Sequence, residues 1–245
     1  MSSPMMRPAD YSPALPHERI EEIFPDIFLV HGSARVGPAT RLNRNMAIVR
    51  SNDELSLINP VRLSAPAESQ LEKIGTVKRV LRIGYYHGVD DRYYVDRYGA
   101  EFWCQPGSDR YREPRPTHVL RDETPLPIPA AELFLFKATK FPESAILLEN
   151  HGGGLITCDS LQYWTDWSYC TPAAKMVIRV NGFSLRMLIG TFWLKAMTPK
   201  GQSLRADFER LLKLEFKHLL GAHGRVCRNH AHEQVVAEVD RVFGS

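Results

Sequence analysis

Little in this chain's composition commits it to a partner. Its 245 residues include four cysteines, Cys104, Cys158, Cys170 and Cys227, with no two at metal-finger or redox spacing. That scatter excludes a disulfide scaffold and a cysteine-built zinc knuckle, and it fits a reducing, cytoplasmic setting. Long hydrophobic runs are also missing. The nearest candidate, Met176 to Met197, is broken by Arg179, Asn181, Arg186 and Lys195, and by Gly182 and Gly190. A membrane-spanning helix needs about 20 mostly apolar residues, so the segment reads as an amphipathic helical region and no membrane partner is expected. Charge of one sign is lacking as well: 31 basic residues face 28 acidic ones, for a net +3. Without a domain-wide basic stripe, nucleic acid is not an expected partner. The bunches Arg35, Arg41, Arg44 and Arg110, Arg112, Arg115 read as solvated loop faces.

What is present is enough apolar residue for a sizeable core, 44% hydrophobic against 24% charged. Residues 1–22 lack the apolar stretch of a signal peptide and read as a disordered or extended lead-in; 23–245 read as a single domain, with no internal repeat or linker. Strands are expected at Ile27–His31, Met46–Arg50 and Leu55–Asn59, the last two flanking the turn Ser51-Asn52-Asp53. Ser64 to Ile74 reads as a helix, with Ser64 at the N-cap and Gly75 ending it. Val77–Ile83 reads as a buried strand and Tyr93–Tyr98 as a short helix. Further strands are expected at Glu101–Cys104, Thr117–Leu120, Leu133–Lys137, Ser144–Glu149 and Gly154–Cys158. Helical spacing then follows in Leu204, Phe208, Leu211 and Leu212, and in Val235, Val236, Val239 and Phe243, with Asn229 as N-cap of the second helix.

Three apolar runs end on chemistry. Val77–Ile83 leads into His87-Gly88-Val89-Asp90-Asp91-Arg92, Gly154–Cys158 ends on Asp159, and Leu219-Leu220-Gly221-Ala222 leads to His223-Gly224. Histidines and aspartates just past strand ends gather at one rim of a sheet, where they can share a metal. Residues and order together resemble the metallo-β-lactamase superfamily over about Phe24 to Phe243. The resemblance implies an α/β fold, a four-layer αββα sandwich, with its metal site along one edge. It also implies that His87, Asp91, Asp159 and His223 stand at ligand positions of a degenerate motif. Val89 and Arg92 replace two family histidines, and Lys140 or Glu143 falls where a third belongs.

With those donors gone, the resemblance implies at most one bound divalent metal, zinc, iron or manganese, or none at all. The implied function is a metallo-hydrolase acting on an ester, lactone or similar small substrate. Asp91, Asp159 and His223 would be ligands, His87 a ligand or proton shuttle, and Arg92 an oxyanion or substrate-carboxylate partner. The alternative is a metal-free, non-catalytic binding member of the fold, in which Arg92 pairs with Asp91 or Asp159. Blander readings stand beside these. Asp159 with Gln162 fits a helix N-cap, His223 fits a tight turn between glycines, and His87 an ordinary loop. If His87 instead matches the family's second histidine, Asp90 takes the motif's last ligand position and Asp91 drops out. The aromatic segment 161–193 reads as an exposed apolar patch suited to homo-oligomer contact or, less so, a substrate pocket.

Overall fold

Side chains alternate along the strands of this protein between two apolar layers, and that alternation sets the architecture. The computed structural model describes residues 11–244. A seven-stranded sheet takes β1 (Glu21–Phe24), β2 (Ile27–Gly37), β3 (Thr40–Ser51), β4 (Glu54–Ile58), β5 (Thr76–Arg82), β6 (Glu101–Cys104) and β7 (His118–Val119) side by side in chain order. The first four run antiparallel to their neighbours, and β5 to β7 continue parallel to β4. Helices α1 (Ala65–Ile74) and α2 (Asp91–Tyr98) make the first two parallel crossovers, as parallel pairing requires.

The second half supplies β8 (Ala131–Leu135), β9 (Ser144–Leu148), β10 (Gly154–Thr157), β11 (Leu161–Tyr163), β12 (Met187–Ile189) and β13 (His218–Gly221). Of these, β8, β9, β10 and β13 form a four-stranded sheet, while β11 and β12 pair as a ribbon. Helices α3 (Pro172–Val180), α4 (Thr191–Met197), α5 (Arg205–Leu211) and α6 (Ala231–Phe243) complete the chain.

Leu29, Val49, Ile58 and Leu81 of the large sheet pack against Ile146, Leu148, Ile156 and Leu220 of the small one. Their sequence neighbours Val30, Ile48, Leu57 and Val80 turn the other way, under Leu71 of α1 and Tyr94 of α2. On the small sheet Leu147, Leu155 and Leu219 face Trp193, Phe208 and Val235 of α4, α5 and α6. Period-two alternation thus gives two sheet faces apiece, and the result is the expected αββα sandwich. Each buried Leu, Ile or Phe contributes on the order of 1.5–3 kcal/mol.

Several expectations need correction. Strands β2 and β3 extend well beyond 27–31 and 46–50, as a long hairpin whose outer half, 32–44, is too polar and small to look like a strand. Asp159 caps no helix: β11 follows, and Gln162 Nε2 instead donates to the Asp159 carbonyl at 3.2 Å. The region 176–197 is not one amphipathic helix but the end of α3, then β12 and α4. His230, not Asn229, stands at the N-cap of α6, and Asn229 takes a left-handed φ of 66°. Of the 1–22 lead-in, residues 1–10 lie outside the described residues; His17 bridges Gly32, and β1 already starts at Glu21.

Candidate metal centre

Strands β10 and β13 run parallel with Thr157 opposite Gly221. Two residues beyond those partners come Asp159 and His223, so matched register delivers both side chains to one edge. The loop after β5 reaches the same edge because Gly84 bridges Glu143 and Ser144 N–H donates to the Ile83 carbonyl at 2.8 Å. Together they bring His87 Nε2 to 3.2 Å from His223 Nε2 and 3.3 Å from Asp159 Oδ1, with His223 Nε2 2.9 Å from the same oxygen. Cys158 Sγ joins His87 and Asp159 in a group whose ligand atoms lie within 4.8 Å of one another.

Neighbours hold these groups in place. His223 Nδ1–H donates to the Asn43 carbonyl at 2.6 Å. Asn45 Nδ2 donates to the carbonyls of Gly221 and Gly224, at 2.8 and 2.9 Å. Glu143 Oε1 accepts the backbone N–H groups of Asp159 and Ser160, each at 3.1 Å. His87 has no such support: among the described residues its buried Nδ1 has no partner.

Burial pushes His87 down to about 4 against the pull of Asp159, which leaves the ring neutral near neutral pH. Burial also opposes ionisation of Asp159, but the pull of His87 and hydrogen bonding to both histidines hold its carboxyl well below the usual range. Glu143 goes the other way: burial, then the Asp159 charge, push it well above the ordinary carboxylate range. Burial and the same two carboxyl groups raise Cys158 strongly, so it sits as a thiol.

The other expected residues lie elsewhere. Asp91 is fully buried but takes Arg82 as its partner, with Nε to Oδ2 at 2.5 Å. Arg92 does not reach the cluster and pairs with neither expected aspartate; it meets Asp96 one helical turn on, at 3.3 Å, with its side chain 41% exposed. The reason is helix geometry, since Asp91 at the start of α2 faces the sheet and the next residue cannot share that face. Lys140 is exposed, while Glu143 is fully buried beneath Asp159. Arg44, assigned above to a solvated loop, is 3% exposed beside the cluster. Its position in the unseen half of β3 concealed it. The aromatics of 161–193 are mostly packed, with Trp164, Phe183 and Trp193 buried and Phe192 exposed.

The donor set fits a metal. His223 Nδ1 gives its hydrogen to the Asn43 carbonyl, so Nε2 is the ring nitrogen left to face Asp159 Oδ1 and His87 Nε2. Two imidazole nitrogens and a carboxylate oxygen so placed are donors that one divalent ion could share. The three separations approach the edge, about 3.3 Å, of a tetrahedron whose metal–ligand bonds are about 2.0–2.1 Å. Two imidazoles and a carboxylate leave a fourth position open, on the side of a cleft of about 480 Å³. Its walls include Leu42, Val89, Phe183 and Trp193, with Arg35, Arg44 and Arg110 as cations.

The layer order is that of the metallo-β-lactamase fold. The metallo-β-lactamase DIM-1 superposes with a TM-score of 0.65 at 11% identity, over 94% of this chain and 99% of that one. FIM-1 from Pseudomonas aeruginosa, in its mono-zinc form, gives 0.63 at 9% identity, over 94% and 97%. A metallo-β-lactamase from Pontibacter korlensis gives 0.61 at 13%, over 91% and 99%. No protein-family model and no curated protein matches this sequence. The likeness is one of fold, and the fold does not choose the chemistry. Among the described residues no helix is long and apolar enough to cross a membrane.

Proposed function

We propose that this protein is a metal-dependent hydrolase with one divalent ion, held by His87, Asp159 and His223, that cleaves an ester, lactone or similar carbonyl in a small substrate. The observation that carries the reading is the convergence of two imidazole nitrogens and one carboxylate oxygen, 2.9–3.3 Å apart, at the floor of a substrate-sized cleft. A divalent ion there supplies Lewis acidity toward a carbonyl and lowers the pKa of water. Everything else falls to the chain's own groups. Asn43 fixes the tautomer of His223, and Glu143 fixes the backbone at Asp159. The apolar walls orient the substrate and exclude water. Arg44 and Arg110 bias the cleft toward anionic substrates. With Asp91 taken by Arg82, no second set of donors stands at the rim among the described residues.

Metal content of the purified protein after growth with zinc, iron and manganese, measured together with hydrolysis of an ester and lactone panel, tests this. About one equivalent of metal is expected, lost with activity in Asp159→Ala. Less than about a tenth of an equivalent under every supplement overturns the proposal and leaves the metal-free binding reading.

A further inference from the structure

Arg44 is 3% exposed, yet among the described residues no carboxylate stands within ion-pair distance of it. Among the described residues its guanidinium gives one hydrogen bond, from Nη2 to the Pro60 carbonyl at 3.1 Å, and its buried Nε has no partner. A buried guanidinium is ordinarily paired, because stripping it of water without compensation is costly. This one is not idle in space either. It lines the main cleft and also a second cavity of about 250 Å³ next to it, and Ala34, Arg35 and Val89 are common to both.

The second cavity is lined in part by Ser12, Pro13 and Leu15, and by two further arginines, Arg35 and Arg62. Arg62 is already matched by Glu68, at 2.6 Å. One carboxylate also faces the space: Asp90, whose Oδ2 accepts the Arg62 backbone N–H at 3.1 Å. Arg35 is exposed, and among the described residues its guanidinium gives one hydrogen bond, to the Pro38 carbonyl at 3.2 Å. Among the described residues, Arg44 and Arg35 therefore line one cavity without ion-pair partners, with Asp90 the one acid in its lining.

We infer that the second cavity is an anion site in which Arg44, assisted by Arg35, receives the carboxylate or phosphate group of the substrate. This rests on the proposal that the adjoining cleft holds the substrate's reacting end. The substrate class becomes narrower: an apolar body of cleft size, with an anionic head placed beyond Arg44. A planar guanidinium can give such a head two parallel hydrogen bonds.

Catalysis is not needed to test the site. The full-length protein is titrated calorimetrically with inorganic phosphate and with acetate, at constant ionic strength set by chloride. Saturable binding of at least one probe is expected, and the one that binds identifies the head group. Arg44→Gln should weaken it at least tenfold, while Asp159→Ala should leave it within about twofold. Should Arg44→Gln fail to fold, Arg35→Gln at the exposed position carries the test, with several-fold weaker binding expected at unchanged Tm. No saturable binding of either probe, binding unaltered by the arginine substitutions, or binding lost in Asp159→Ala would each overturn the anion site. The last result would put the anion at the metal centre instead. Absence of metal with anion binding intact would sink the hydrolase reading alone.

Discussion

Glu143 supports the candidate centre without offering it a donor. One oxygen accepts two backbone N–H groups at Asp159 and Ser160, and burial, then the Asp159 charge, push the carboxyl well above the ordinary carboxylate range. A carboxyl whose folded pKa is raised contributes stability that is complete at low pH. That contribution is lost as pH climbs from the ordinary carboxylate value, about 4.3, through the raised one. Glutamine keeps the accepting oxygen and cannot ionise. The Tm of Glu143→Gln should therefore gain on the wild type as pH rises from about 5 to about 8; parallel curves would mean that the carboxyl is not held neutral. Glu143→Ala, in contrast, strands two backbone donors and should cost about 1–3 kcal/mol for each one left unsatisfied. Position alone made this residue visible in the sequence, where it competed with Lys140 for a missing histidine. Only the fold turns one of them inward.

Elements show where reading by pattern stops. Apolar alternation marked most of the strands, and three strand ends marked His87, Asp159 and His223, because those signals lie within a few residues of sequence. Arg82 gave no comparable signal. It closes the apolar run of β5, and since Leu81 faces the other sheet, Arg82 must face the helical layer, where Asp91 begins α2. Its guanidinium also lies 4.9 Å from the Phe102 ring and 5.2 Å from that of Tyr111. The pair joins residues only nine apart, yet the choice of Arg82 over Arg92 depends on which face of α2 is buried. Arg82→Met should cost about 3–5 kcal/mol, since it leaves a buried carboxylate unpaired, and Arg82→Met/Asp91→Leu should recover most of that. Denaturant melts of the two variants check it; a double variant as unstable as the single one would show that the ion pair is not the source of the cost. Metal content should survive in the double variant, because Asp91 contributes nothing to the centre.

At the scale of the whole molecule, the two sheets meet beneath the site at several points, and the tightest for an added side chain is Gly84, which bridges Glu143. A Cβ added to Gly84 would lie 2.2 Å from Cys158 Sγ, 2.7 Å from Cys158 Cβ and 2.9 Å from Glu143 Oε2. Cys158 precedes Asp159, and Glu143 supports it, so any displacement that relieves the clash moves the carboxylate away from His87. Gly84→Ala should accordingly lower stability by about 1–3 kcal/mol, the usual cost of overpacking, and should weaken metal retention as well. Shortening the facing side chain separates the two effects. Cys158→Ala removes the sulfur and leaves the Cβ, so Gly84→Ala/Cys158→Ala should regain part of both stability and metal. Cys158→Ala alone should keep its metal, because its protonated thiol is not one of the proposed ligands. Melting temperature and metal content of the three variants decide the matter. If Gly84→Ala keeps wild-type values of both, the two sheets do not need this close approach to assemble the rim; if Cys158→Ala alone loses the metal, the sulfur belongs among the donors.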